Sequence, residues 1–181
     1  MRRRRSLLQL VFWALLLAGS AAGAQTQEKY PFRVSAFAGV GGAVNGDDGS
    51  SLGNGSYQLG FSWISDVDVL VGVRAGQIAF DEGPSGRLGS DLTYATIGGE
   101  YLFNEGYYTS GIYLGLGWYS LDDDELPEFS SQDAVGLALG VTGDFRLSDR
   151  FSILLELSGH YTDLDDADLL AMGHVGVAFR F

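Results

Sequence analysis

Between Phe32 and Phe181 the chain alternates apolar with polar or small residues at a period of two, in eight separate stretches. In the stretch 151–162, Phe151, Ile153, Leu155, Leu157 and Tyr161 share one face, while Ser152, Glu156, Ser158, His160 and Thr162 share the other. Near the C-terminus Leu169, Ala171, Val175, Val177, Phe179 and Phe181 stand against Met172, His174, Gly176, Ala178 and Arg180. Side chains alternate across a strand in this way, so one face of each stretch meets an apolar medium. The pattern predicts strands over Phe32–Ala43, Ser56–Ser65, Val67–Phe80, Asp91–Phe103, Tyr107–Ser120, Ala134–Leu147, Phe151–Thr162 and Leu170–Phe181. Soluble strands average about five or six residues. Stretches of about ten or more match what a tilted strand needs to cross a bilayer.

The second face says which medium the first one meets. In a soluble sandwich it would be richly charged where it faces water. Here it is mostly Gly, Ala, Ser and Thr, with isolated charges at Asp68, Arg74, Glu100, Asp144, Arg146, Glu156 and Arg180. Small residues with charges of both signs suit a narrow lumen filled by side chains, which eight strands enclose. The expected fold is therefore all-β: an eight-stranded antiparallel up-and-down transmembrane β-barrel whose apolar face meets lipid. Charges buried in such a lumen must be paired, and Glu156 with Arg180 on adjacent strands is the expected pair. Short connections at Ser65-Asp66, Asn104-Glu105-Gly106 and Ser148-Asp149-Arg150 alternate with longer acidic ones at 45–55, 81–90, 121–133 and 162–168. Barrels of this kind keep short turns in the periplasm and long loops outside. Tyr57, Trp63, Tyr101, Tyr107, Tyr108, Trp118, Tyr119 and Tyr161 fall near strand ends, where interfacial girdles form.

Composition fits paired strands, with 27 Gly, only 3 Pro and many aromatics. Residues 1–24 read as a secretory signal peptide. Arg2 to Arg5 form a basic head, Leu7 to Ala18 an apolar run, and Ala22-Gly23-Ala24 a cleavage site that leaves Gln25 first. One barrel domain over residues 25–181 is expected to follow. The chain has no Cys, which excludes disulfides and thiolate metal sites. Four of its 11 Lys and Arg lie in the head, against 23 Asp and Glu that all follow it. So acidic a chain is not a nucleic-acid binder, because phosphate recognition needs clustered cations.

The final His174-Val175-Gly176-Val177-Ala178-Phe179-Arg180-Phe181 resembles the C-terminal assembly signal of bacterial outer-membrane barrels, with His174, Gly176, Phe179 and Phe181 in the four signal positions. With the eight-strand layout, residues 25–181 resemble the small OmpA/OmpX/OmpW-type barrel family. The resemblance implies handling by the barrel-insertion machinery, a monomer among outer-membrane lipids and lipopolysaccharide, and no peptidoglycan-binding domain after Phe181.

Candidate chemistry is sparse. His160 and His174 are expected to face each other inside the barrel, as a polar layer more than as a metal pair, since a zinc site needs further ligands. His160-Tyr161-Thr162 is faintly similar to the His-x-Ser segment of PagL-type lipid A deacylases. However, Thr162 replaces Ser, and His174 stands where a Glu would be expected. The runs Asp122-Asp123-Asp124-Glu125 and Asp163, Asp165, Asp166, Asp168 lack the spaced ligands and glycine of an EF-hand loop and read as solvated tips. Gly39, Gly41, Gly42, Gly98 and Gly99 lie in strands with no following helix, so a phosphate-loop reading fails. Glu156, Arg180, His160 and Arg74 are expected as interior polar residues. No catalytic residue, cofactor or metal is expected. The reading is a bacterial outer-membrane barrel with a structural or surface-interaction role and long acidic loops outside. The alternatives are an OmpW-like passage for small hydrophobic compounds and a PagL-like hydrolase.

Intact-mass measurement of the exported protein is expected to give a chain beginning at Gln25. A mass that retains the Arg2–Arg5 head would overturn the reading of residues 1–24.

Overall fold

The computed structural model describes residues 30–45, 51–65, 68–80, 90–103, 107–123, 132–164 and 167–181. The signal segment 1–24, with its cleavage point between Ala24 and Gln25, lies outside the described residues. So do the Asn104-Glu105-Gly106 turn, Asp66, residues 81–89 and 124–131, and the acidic pair Asp165 and Asp166.

Eight strands follow one another: β1 Phe32–Ala43, β2 Asn54–Ile64, β3 Val69–Ala79, β4 Ser90–Phe103, β5 Tyr108–Asp123, β6 Gln132–Arg146, β7 Phe151–Thr162 and β8 Leu169–Arg180. Each pairs antiparallel with the next, and β8 closes onto β1, giving a closed barrel. The expected bounds of the first and seventh strands are those observed. β5 and β6 run further toward the acidic connection than the alternation indicated, to Asp123 and from Gln132. Polar residues there still pair: Asp122 lies opposite Asp91 and Gln132 opposite Leu121. β3 starts two residues later than expected, because Asp68 takes a left-handed backbone (φ 57°) in the turn and Ser65 N–H bonds Val69 O.

The register sets the barrel's girth. Arg33 lies opposite Ser62, and the row continues through Gly72, Gly98, Gly115, Ala138, His160 and Leu170 to Ala43. One circuit thus climbs from residue 33 to residue 43 of β1, so the strands are strongly tilted, as barrel closure requires. Every member of this row faces inward. The row beginning one position on, Val34, Phe61, Val73, Ile97, Leu116, Leu137, Tyr161 and Leu169, faces outward and is apolar throughout.

Outward residues such as Leu59, Leu114, Leu139 and Leu157 are about 60% exposed. A continuous apolar surface of that size has no place in water and suits hydrocarbon, which demands a closed sheet. Aromatic side chains rim the belt at the end where β1 begins and β8 ends. There Phe32 stacks on Phe61 and sits beside Phe181, Tyr108 meets Phe145, and Phe151 meets Phe179. Tyr57, Trp63, Tyr101, Tyr107, Tyr108, Trp118 and Tyr161 are exposed, as a girdle requires. Tyr119 is not among them. Its position in β5 points it inward, where it is fully buried.

The core is the lumen itself. It is so narrow that the rings of Phe37, Tyr94, Tyr113 and Tyr119 each cover a neighbouring glycine. A Cβ on Gly117 would lie 2.7 Å from the Tyr119 ring, and one on Gly136 would lie 3.0 Å from it. Substituting Gly117→Val is therefore expected to displace Tyr119 and cost about 1–3 kcal/mol, read as a lower urea midpoint of the refolded protein in detergent micelles.

Candidate functional site

The barrel interior divides into two layers. Three arginines and three carboxylates occupy the half nearer the start of β1 and the end of β8. Arg180, the last residue of β8, bonds Asp144 of β6 through Nη2 and Ser152 of β7 through Nη1 at 2.8 Å. Arg33 of β1 lies 3.7 Å from the same Asp144 carboxylate and donates to Glu100 Oε2 of β4 at 3.0 Å. Arg74 of β3 also donates to Glu100 Oε2, at 3.0 Å, and to Glu156 Oε2 of β7, at 2.5 Å. The chain Arg180–Asp144–Arg33–Glu100–Arg74–Glu156 thus ties six strands together with no net charge. All six residues are at least nine-tenths buried. Burial of an unpaired charge is costly, and sharing each carboxylate between partners is what makes the cluster tolerable.

Neutral groups complete the lattice. Gln58 donates to Glu156 at 3.3 Å and accepts from the Tyr94 hydroxyl at 3.1 Å. Thr142 donates to Glu100. The Arg74 guanidinium lies 3.7 Å over the Tyr113 ring, a cation–π contact, and the Tyr113 hydroxyl bonds Thr96 at 2.7 Å.

The other half of the lumen is apolar. Ala43, Ile78, Leu92, Leu121, Ala134 and Leu170 are inward residues near the ends of their strands, and they pack with Phe80, Tyr94, Tyr119, Leu164, Ala167 and Met172. Tyr94 and Tyr119 stack at 6.2 Å between ring centroids, with His160 edge-on to both.

Glu156, Arg180, His160 and Arg74 are all inside, as the alternation predicted. Their pairing differs from expectation. Glu156 lies opposite His174, whereas Arg180 sits six residues further along β8. At about 3.4 Å per residue that separation is too great for contact, so Glu156 takes Arg74 and Arg180 takes Asp144. The two histidines do not face each other either. The β7–β8 register sets His160 opposite Leu170 and His174 opposite Glu156. His160 bonds Tyr119 through Nδ1 at 2.8 Å and Ser158 through Nε2 at 3.1 Å. His174 bonds Ser56 at 2.9 Å. Asp68 and Arg146, also read as interior, are exposed. Asp68 belongs to a turn, and Arg146 ends β6 at the rim, where its long side chain reaches solvent.

Arg33 and Gln58 were missed. Arg33 was legible, since it lies between Phe32 and Val34 and so shares the inward parity of Ser35 and Phe37. Gln58 is marked only by facing inward between Ser56 and Gly60.

Thr162 donates to Ala167 O at 2.6 Å, holding the β7–β8 connection over the lumen so that Leu164 and Ala167 are buried. Its hydroxyl and His160 bond separate partners. Among the described residues, no group of three or more His, Cys, Asp or Glu is placed to hold a metal. Of the assembly-signal positions, His174 and Gly176 face the lumen and Phe179 and Phe181 face outward, stacked at 6.1 Å.

Glu100 is the hub of the lattice, because it alone joins Arg33 to Arg74. Glu100→Gln is expected to destabilise the barrel by about 3–5 kcal/mol, the cost of leaving buried charge uncompensated. Arg146→Ala at the exposed rim should change it by no more than about 0.5 kcal/mol. Urea titrations of the two refolded variants provide the comparison.

No protein-family model matches the sequence, and no curated protein matches it. Solved structures do match its fold. The chain is similar to Neisserial surface protein A (18% identity, 83% of this chain and 97% of that one, TM-score 0.63). It is also similar to the attachment invasion locus protein Ail of Yersinia pestis (18%, 84% and 99%, TM-score 0.60), which has been solved with the heparin analogue sucrose octasulfate as well. The N-terminal β-barrel domain of Pseudomonas aeruginosa OprF matches at 16% identity, over 86% of this chain and 100% of that one, with TM-score 0.63. The outer membrane enzyme PagL shares the architecture at 12% identity and TM-score 0.50. These neighbours agree with the resemblance carried by the alternation and the C-terminal residues: the chain has the fold of the small eight-stranded outer-membrane β-barrels.

Proposed function

We propose that this protein is a closed, non-catalytic barrel of the bacterial outer membrane that holds acidic loops at the cell surface and acts through them. The observation that carries the reading is the filled lumen. The ion-pair lattice and the apolar layer together occupy it along its length, which supports anchorage over transport. A passage for small hydrophobic compounds would need an apolar route or a lateral opening. Here the charged layer crosses one half, and each strand is paired to both neighbours.

The proposed orientation puts the chain termini and the short turns in the periplasm. Asp122, Asp133, Asp163 and Asp168 are exposed at the opposite end, beyond the apolar belt. Their charge suits a cationic partner and would repel a polyanion such as the one crystallised with Ail. On this reading Phe179 and Phe181 serve recognition by the insertion machinery, and the barrel is a monomer among phospholipid and lipopolysaccharide. The hydrolase alternative would need Thr162 and His160 to act together, and both are engaged elsewhere.

Refolded wild-type protein is expected to leave planar lipid bilayers silent, and lipid A from cells with and without the gene should have the same mass. Replacing residues 124–131 with a short Gly-Ser linker, together with Asp122→Asn, Asp133→Asn, Asp163→Asn and Asp168→Asn, should abolish the protein-dependent binding of whole cells to cationic surfaces while the barrel still folds. Steady conductance by the wild type, or undiminished binding by the loop variant, would count against the proposal.

A further inference from the structure

The closed reading leaves open which of the two layers stops ions. We propose that the barrier is the apolar layer at the loop end, and that the ion-pair lattice is a structural tie accessible to water from the end where β1 begins and β8 ends. The inference rests on the closed-barrel reading and goes a step beyond it.

Three observations point this way. The first is polar accounting in the lattice. Among the described residues, Asp144 Oδ1 and Thr109 Oγ1 are buried with no hydrogen-bond partner, on residues that lie opposite each other in the β5–β6 register near the end of the lumen. Buried polar atoms are almost always bonded, and on this proposal a water held at that end of the lumen is their partner. The second is space. A cavity of about 10 Å³, lined by Arg33, Arg74 and Glu100 among others, lies beside the lattice, close to the least volume that holds one water. Its charged lining provides the polar partners such a water needs. The third is the chemistry of the other layer. Ile78, Leu92, Leu170 and Met172 offer nothing to solvate an ion. The polar groups beside them are occupied by interior partners: the Tyr94 hydroxyl donates to Gln58, Tyr119 and His160 bond each other, His160 also bonds Ser158, and Thr162 donates to Ala167 O. An apolar constriction excludes ions by excluding the water that must accompany them. A lattice of charges is a weaker barrier, since a permeating ion can be met by one carboxylate or guanidinium after another.

The two layers can be weakened separately in the full-length protein. The cap variant is Leu92→Ser with Leu170→Ser, backed by the milder Leu92→Ala with Leu170→Ala should the first fail to fold. The lattice variant is Arg74→Gln with Glu156→Gln, which removes an ion pair but retains side-chain bulk. Folding is checked by heat-modifiable migration on gels, and conductance is read in planar bilayers in potassium chloride. The expected result is a gain of discrete conductance steps in the cap variant, with the lattice variant as silent as the wild type. A folded cap variant that stays silent overturns the assignment of the barrier, and so does a conducting lattice variant. A conducting wild type would instead overturn the closed-barrel reading beneath it, so the two failures are told apart.

Discussion

Hydrocarbon offers no hydrogen-bond partners, so a sheet that crosses a membrane must satisfy each backbone N–H and C=O within itself. In this chain that requirement explains the closure of β8 onto β1 and the unbroken ladders between all neighbours. Strand tilt follows from closure, and with eight strands at this tilt the enclosed space is only wide enough for side chains. The lumen is thus a consequence of the outer surface. Lipid outside dictates a cylinder, and the cylinder dictates a crowded interior.

Crowding then selects the inward residues. Large rings fit only over glycine, which is why Tyr119 lies over Gly117 and Gly136, and why a Cβ on Gly76 would reach the Tyr94 hydroxyl at 2.5 Å. Charge fits only in compensated form. With no room for a full hydration shell, Arg33, Arg74 and Arg180 share three carboxylates, and Glu100 serves two of them at once. Such a lattice is poor evidence of net stabilisation, since apolar packing of equal volume can do as well. It does fix register. A slip of β4 by one residue against its neighbours would turn Glu100 toward lipid and take one of two carboxylates from both Arg33 and Arg74.

Much of this was legible in the sequence because period-two alternation reports directly on which face each residue occupies. Inward Glu156, Arg180, His160 and Arg74 follow from parity alone, as does the apolar row through Phe61 and Leu137. Partnership does not follow, because parity says nothing of height in the barrel. Glu156 and Arg180 share a face on adjacent strands yet lie at different levels, and only the β7–β8 register reveals it. The same blindness set His160 against His174, where the observed register sets His160 against Leu170 and His174 against Glu156. Tyr119 was misplaced for another reason. Position near a strand end suggests an interfacial girdle, but its inward parity, shared with Tyr113 and Gly117, outweighs that suggestion.

The division of labour between surfaces also explains why function was harder to read than fold. The outer face answers to lipid and the inner face to packing, so residues on both are constrained by physics common to many barrels of unrelated role. What distinguishes one such barrel from another must lie where neither constraint applies, beyond the belt at the loop end. The β7–β8 connection is a partial exception. Thr162 ties it to Ala167, and Leu164 and Ala167 are packed against the apolar layer, so this segment belongs to the interior as much as to the surface. An effect of mutation there therefore reports on the cap before it reports on any partner. Asp163 and Asp168, exposed on the same connection, are free of that ambiguity and are the better places to look for recognition.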